Sequence, residues 1–478
     1  MLILKKLNKE LSHSLHLIFQ KIKQTSEFPH NWKCATVIPV HKKDSKIDVK
    51  NYRPVSLLIC VSKVFERCVY LPLYEFLRSK FSASQHGFRK GRSCVTQLLH
   101  FLDQVYKGLE SGQKVSHTNF EKAFEKMDHG VLLSKLYRYG VRGKLLKLIE
   151  SYLKGRTFRV RVGDSFSTPR SATTGVPQGS LLGPLFFLVL INDFEDNCEF
   201  TSCLLNADDA KIVYIGHNSN LMQGDLDNIA LWCFDNSMSL NAPKCKHLSI
   251  GGTGEFFISN QALEIVSKKE DLGLVIESTL KWKEHVAEKC RKAMSVLFMI
   301  KRNCGSISID GKKNMYKSMV LPILTYGSAC WFASIDGLKR LERVQKYALT
   351  WMIGRNSYKT NLMTTNMLPV SLYLQLCDLL TLSKFVNGHY DISNEGFITL
   401  HSPNRDTRYS ENMHFVVPIV KRVLCESNFW IRTPKLVNRL PRSTNFFEPI
   451  GLKSRLLRFF WTFFMQNYDE DNSHTWRF

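Results

Sequence analysis

LLNADDAKIVYI, residues 204–215, is the stretch that decides the fold. Apolar residues flank the adjacent acids Asp208 and Asp209, a pattern that reads as two strand arms joined by a tight turn. Two carboxylates at a hairpin tip repel each other unless cations neutralise them, and Mg2+ suits oxygen ligands of this kind. By itself an Asp-Asp turn is commonly plain solvated surface. Its meaning therefore rests on its surroundings.

Upstream, TTGVPQGSLLGPLFFLVLINDF (173–194) reads as a turn followed by a helix that Ser180 caps and that runs to about Phe194. TFRVRVG (157–163) alternates apolar and basic residues as a strand with an exposed face should. Helices are expected over 130–139 and 144–154, a strand over 115–120, and another helix over 94–109 behind the glycine-punctuated basic loop QHGFRKGRS (85–93). A helical period runs from Leu57 to Leu77. Residues 35–40 read as a short strand, 41–50 as an exposed polar loop, and Asn51-Tyr52-Arg53-Pro54 as the place where the chain turns back. Leu4, Leu7, Leu11, Leu15 and Ile18 recur as on an amphipathic helix.

Downstream, a helix is expected over 221–238, then a turn at 241–244. Beyond Lys283 the chain reads as mainly helical, with a polar linker at 402–413. Helices and antiparallel strands in this order predict an α+β palm rather than a doubly wound sheet.

With 478 residues and 44% hydrophobic content the chain can bury several cores, which implies two to four domains or subdomains. Its 66 Lys and Arg against 42 Asp and Glu leave a formal charge of +24, a balance that favours polyanionic partners and makes nucleic acid the first candidate. The 13 cysteines include no CxxC pair, so neither a disulfide framework nor a zinc knuckle is indicated, and a reducing intracellular compartment fits best. The apolar run at 181–191 contains Gly183 and Pro184 and is too short to span a bilayer. No membrane segment is expected.

Taken together and in order, VIPVHKKDSKIDVKNYRPVSLL (37–58), QHGFRKGRS, TNFEKAFEKMDHG (118–130), TTGVPQGSLLGPLFF, NADDAKIV (206–213), WCFDNSMSLNAPKCKHL (232–248) and LGLVIESTLKW (272–282) resemble the successive motifs of the reverse transcriptase of non-LTR (LINE-type) retrotransposons. On that resemblance the chain corresponds to the C-terminal part of such an open reading frame, without the endonuclease. The resemblance implies a right-hand polymerase: an N-terminal helical extension (1–36), fingers and palm (37–252), a connection and helical thumb (253–355), and a C-terminal helical region of unknown role (356–478). It implies RNA-templated DNA synthesis from deoxynucleoside triphosphates onto a DNA primer by two-metal phosphoryl transfer, with Mg2+ as the cofactor.

The same resemblance assigns roles to single residues. Asp208 and Asp209 match the paired metal ligands. Lys43 and Arg53 match basic residues that reach the triphosphate, Phe124 an aromatic beneath the nucleotide sugar, Gln178 and Gly179 the loop against the nucleotide, and Lys244 a lysine near the leaving pyrophosphate. Arg89, Lys90 and Arg92 match contacts to template or primer phosphates, which should be salt-dependent. The third metal ligand falls at Asn119, where the family has aspartate. An amide oxygen brings no charge, so the site is expected to bind its cations more weakly. Glu121, two residues on, is a poor substitute on geometry. Asn206, Glu125 and Asp128 also depart from the family's usual residues. A catalytically silent nucleic-acid-binding protein is the competing expectation, and a group II intron maturase is disfavoured because no Cys/His zinc region is present.

Overall fold

The computed structural model describes residues 2–42, 45–120, 127–238, 245–252, 254–392, 396–401 and 414–467. The amphipathic N-terminus forms α1 (Leu2–Lys6) and α2 (Asn8–Thr25), interrupted at Leu7. β1 (Cys34–His41) and β2 (Tyr52–Leu57) pair antiparallel with His41 opposite Tyr52 and Pro39 opposite Pro54, so the chain turns back earlier than expected, before Tyr52, and Tyr52, Arg53 and Pro54 belong to the strand. The expected helix starts later than its apolar period suggests, as α3 (Cys60–Leu77). Leu57 belongs instead to β2, paired with Thr36, because the sheet satisfies its backbone first. α4 (Cys94–Glu110) begins at a capping box, in which Ser93 and Thr96 exchange side chain-to-backbone bonds.

β3 (Val115–Phe120), α5 (His129–Arg138), α6 (Gly143–Leu153) and β4 (Arg156–Val162) follow. β4 pairs parallel with β1 and antiparallel with the short β5 (Ser165–Phe166) and β6 (Arg170–Ala172), completing a five-stranded fingers sheet. α7 (Leu182–Ile191) is apolar on every side and, apart from the half-buried Pro184, buried along its length, as a helix inside a core must be. The hairpin β7 (Ser202–Asn206) and β8 (Asp209–Ile215), α8 (Ser219–Asp235) and β9 (Lys246–Ile250) complete the palm elements. The turn at 241–244 lies outside the described residues.

After the hairpin β10 (Phe257–Ile258) and β11 (Gln261–Ala262), β12 (Glu264–Val266) adds to the palm, whose strand order is β12-β9-β3-β8-β7. β13 (Lys268–Asp271) and β14 (Leu274–Glu277) form a separate hairpin that leads into α9 (Lys283–Asn303). The remainder is helical, from α10 (Ile309–Met315), α11 (Leu321–Thr325) and α12 (Ile335–Ile353) through α13 (Tyr358–Thr365) and α14 (Val370–Val386). A two-stranded pair, β15 (Thr399–His401) and β16 (His414–Val416), brackets the expected 402–413 linker, which is itself outside the described residues. α15 (Phe429–Arg439) and α16 (Leu452–Asn467) end the fold.

The palm sheet separates two apolar cores, as the two-residue period of a strand dictates. Val115, Leu204, Val213 and Leu248 point towards α4 and share one core with the helices from α9 to α16. Cys203, Leu205, Ala210, Ile212 and Tyr214 point the other way, onto α5, α6, α7 and α8. The first core passes residue 355 without a break, since Met352, Tyr358 and Leu362 all belong to it. Among the described residues no helix is long and apolar enough to cross a membrane.

Candidate active site

The acidic turn sits one residue earlier than its sequence suggests. Asn206 pairs with Asp209, so Ala207 and Asp208 are the two turn residues and Asp209 opens β8. Ala207 takes a φ of 58°, the positive value that tight hairpin turns demand and that an alanine accepts at a cost of about 1–2 kcal/mol. Asp208 and Asp209 are half-buried.

The strain at Ala207 is held from outside the hairpin. Gln85 Oε1 accepts hydrogen bonds from the backbone N–H groups of Ala207 at 3.0 Å and Gly87 at 2.7 Å. Two backbone bonds tie the same segment to β7: Leu205 N–H donates to Ser84 O at 2.9 Å, and His86 N–H donates to Leu205 O at 2.7 Å. Gly87 lies so close that a Cβ there would stand 2.2 Å from Ala207 N. Only glycine permits that approach. The basic wording of this motif suggests a contact for nucleic acid; within it, Gln85 and Gly87 brace the acidic turn.

β3 runs beside the hairpin, with Asn119 opposite Lys211 and Phe120 opposite Ala210. The path from Asn119 to Asp209 is therefore one cross-strand step plus two residues of rise, which puts their α-carbons about 8 Å apart. That is less than a helix diameter. The register thus brings the Asn119 backbone beside the two acids. On the α4 side of the sheet, Lys211 is fully buried with its Nζ 2.7 Å from Asp271 Oδ2. It also donates to Gln97 Oε1 at 2.8 Å and stands 5.5 Å from the centre of the Phe101 ring. The cation two residues past Asp209 is thus matched by a carboxylate from β13.

The 175–180 loop is gripped from two sides. Gln178 O accepts from Ser56 N–H of β2 at 2.8 Å. Gly179, at a φ of 118°, packs so near β2 that a Cβ on it would stand 3.0 Å from Ser56 O. Gly175 N–H donates to Met127 O at 2.8 Å, while His129 Nε2 lies 2.8 Å from Gly175 O. Ser180 does accept from Gly183 N–H at 3.1 Å. A second cap comes from α3: Glu66 Oε2 accepts from Leu181 N–H at 2.7 Å, and burial raises the pKa of this carboxyl. Asp128, one of the departures from the family's usual residues, caps α5 by accepting from Val131 N–H at 2.9 Å.

The remaining candidates divide. Arg53 is exposed on β2, opposite Val40. Of the three basic residues in the 85–93 loop, Lys90 is exposed. Arg89 and Arg92 point inward instead: Arg89 Nη1 donates to Ser82 O at 2.5 Å and Arg92 Nη1 to Gln85 O at 3.3 Å. Asn206 donates to Cys94 Sγ at 3.4 Å. Lys43, Phe124, Lys244, Glu121 and Glu125 lie outside the described residues, as does the Asn119 side chain.

Mg2+ is held in nucleotide-using sites by one or two carboxylates together with substrate phosphates. Asp208 and Asp209 fit that requirement for one ion. Among the described residues there is no group of three or more His, Cys, Asp or Glu side chains able to hold a metal.

A mainly antiparallel palm sheet with an acidic hairpin at its edge, fingers strands joined to a glycine-bearing loop and a helical region behind form the α+β architecture of a right-hand polymerase fold. Residues 40–289 match the family described as reverse transcriptase (RNA-dependent DNA polymerase), and the chain belongs to that family. Several of the relatives it resembles are named RNA-directed DNA polymerases of transposons or mobile elements. A probable RNA-directed DNA polymerase from transposon BS of Drosophila melanogaster is 28% identical over 70% of this chain and 40% of its own length. The RNA-directed DNA polymerase from mobile element jockey of the same species is 26% identical over 72% of this chain and 40% of its own. The chain thus spans about two fifths of the relatives it matches. An apo telomerase from Candida Tropicalis, truncated from its C-terminal domain, overlays with a TM-score of 0.39 at 13% identity, covering 56% of this chain and 59% of that one.

Proposed function

We propose that this chain is the RNA-directed DNA polymerase region of a retrotransposon whose nucleotidyl transfer to a primer 3′ hydroxyl is impaired at Asn119. The observation that supports this reading most is the β3–β8 register, which sets Asn119 beside the hairpin carrying Asp208 and Asp209. In this reading Asp208 and Asp209 hold Mg2+, and Asn119 offers a neutral oxygen where the family has a carboxylate. When bound, Mg2+ lowers the charge on the triphosphate and activates the attacking hydroxyl. Arg53 and Lys43 steady the triphosphate, a task suited to a forked guanidinium and an ammonium. Gln178 and Gly179 shape the surface against the incoming nucleotide, Phe124 lies under its sugar, and Lys244 stands near the departing pyrophosphate. Lys90 meets a template or primer phosphate. Losing one charged metal ligand costs at least about 3–4 kcal/mol of transition-state stabilisation, or roughly 10²- to 10³-fold in rate.

The second reading is a nucleic-acid-binding remnant without synthesis. The charge of +24 favours it, because binding to phosphates survives loss of the metal site. Primer extension on an RNA template, with wild type beside Asn119→Asp in Mg2+ and in Mn2+, separates the two. The first reading expects weak wild-type synthesis that rises about 10²-fold or more in Asn119→Asp. Synthesis in the revertant alone selects the remnant, with its scaffold intact. No extension by either protein, together with heteroduplex binding that falls steeply with salt, removes the polymerase reading for this chain.

A further inference from the structure

The C-terminal region, whose role the sequence leaves open, returns to touch the polymerase. Asp391 follows α14, and its carboxylate oxygen Oδ2 lies 3.2 Å from Arg89 Nη2 and 4.0 Å from Arg92 Nε. Its backbone N–H donates to Gly91 O at 2.9 Å. The fit is close: a Cβ on Gly91, whose φ is 77°, would stand 2.8 Å from Asp391 N. Nearby contacts fasten the same region along α4, where Lys107 Nζ donates to Gly396 O at 3.0 Å and Asn428 Nδ2 to Asp103 Oδ1 at 3.0 Å.

The two arginines are nearly buried, with side chains only 6% and 8% exposed. Two neighbouring guanidinium groups taken out of water need an anion and carbonyl oxygens to be tolerable. Burial and the Arg89 charge push the Arg92 guanidinium down to about 10, and Asp391 opposes that shift. Beyond Asp391, their partners are backbone carbonyls: Phe81 and Ser82 for Arg89, Ala83 and Gln85 for Arg92. Those carbonyls belong to the segment that bonds Leu205 through Ser84 and His86 and braces Ala207 through Gln85. A continuous run of bonds therefore leads from Asp391 to the acidic turn.

We infer that Asp391 is a positioning residue for the acidic turn: the C-terminal region, through Asp391, holds the Arg89–Arg92 loop in the shape that presses Gln85 and Gly87 against Ala207. The inference rests on the reading of that turn as the polymerase site, for without it the clamp would brace an ordinary hairpin. A polymerase of this kind then depends on residues well beyond its fingers and palm, and shortening the chain before Asp391 loosens the turn even though Asp208 and Asp209 remain.

Amide hydrogen exchange on the full chain tests this. Asp391→Ala should speed exchange of the Ala207 and Gly87 amides about tenfold or more, leave the α12 amides unchanged, and be rescued by Asp391→Glu. Gly91→Ala, which pushes the Asp391 backbone away, should loosen the same two amides. Unchanged exchange at the turn in Asp391→Ala overturns the clamp, and so does an equal acceleration throughout α12, which would mark general destabilisation. In the Asn119→Asp background the same change should lower kcat for primer extension with little change in KM for the nucleotide. If that background makes no product, the polymerase reading fails while the exchange result still decides the clamp.

Discussion

Charged residues at and near the tip of the β7–β8 hairpin differ in burial. Lys211 is fully enclosed, and its charge is met by Asp271 at 2.7 Å and by Gln97 at 2.8 Å. Asp208 and Asp209 stand half-buried at the tip, beside a strand that supplies the amide-bearing Asn119 in the proposed site. Framework and chemistry are therefore separable in this palm: the bracing is complete, while the charge set of the proposed site is one short. Damage to the bracing is expected to reach both stability and the site.

The contrast breaks first at Lys211. Lys211→Ala strands the buried Asp271 carboxylate and should cost about 3–5 kcal/mol in urea unfolding. Replacing both partners together, as Lys211→Met with Asp271→Leu, should recover most of that loss. A cost below about 1 kcal/mol for the single change would mean the pair contributes little.

Gly87→Ala comes next, because its Cβ has nowhere to go beside Ala207 N; a loss of about 1–3 kcal/mol is expected from thermal melting. Gly224, in the middle of α8 with open space around it, is the control. There an alanine should raise stability by roughly 0.5–1 kcal/mol.

A pH-dependent effect sits on the opposite face of the sheet. His247 is buried against Phe256, with ring centroids 4.8 Å apart, and burial lowers its pKa to about 4. An imidazole in the unfolded chain titrates near 6.5 and therefore takes up its proton first. The neutral ring's contribution is complete above pH ~6.5 and drains away as pH falls towards about 4, at about 1.4 kcal/mol per pH unit. Wild type should lose melting temperature relative to His247→Leu across that window as the pH is lowered.

The smallest change is Asn119→Asp itself, which should alter stability by less than about 0.5 kcal/mol in EDTA, with any shift downward through repulsion from Asp208. A large loss there would show that the pocket has repacked around the amide.

Much of this architecture is legible in the sequence because it is local. The two-residue period finds β3 to the residue, and the helical period places α4, α5 and α6 within a residue or so of their ends. The turn comes out one residue late because neighbouring acids look like turn residues, whereas strand register is fixed by which side chains reach each core. What stays hidden joins positions far apart in the chain. Glu66 caps α7 across 115 residues and Asp391 meets Arg89 across 302, and no periodicity carries such information. Two signals are present but easily read otherwise. Lysine inside the apolar β8 implies a buried anion, and glycine in QHGF implies a close backbone approach. Arg89 and Arg92 look like phosphate contacts because loop arginines usually face solvent; here two arginines and one aspartate hold the loop itself.

In the proposed site the acidic tip has one negative charge fewer than the family pattern, at Asn119. Titrating Mn2+ against the wild-type chain, Asn119→Asp, and Asn119→Asp combined with Asp208→Asn, with free ion followed by electron paramagnetic resonance, measures that charge directly. Asn119→Asp should tighten binding by about tenfold or more, since affinity for such ions follows the ligands' charge, and adding Asp208→Asn should abolish the gain. Equal Mn2+ affinity in wild type and Asn119→Asp would contradict the missing-charge reading.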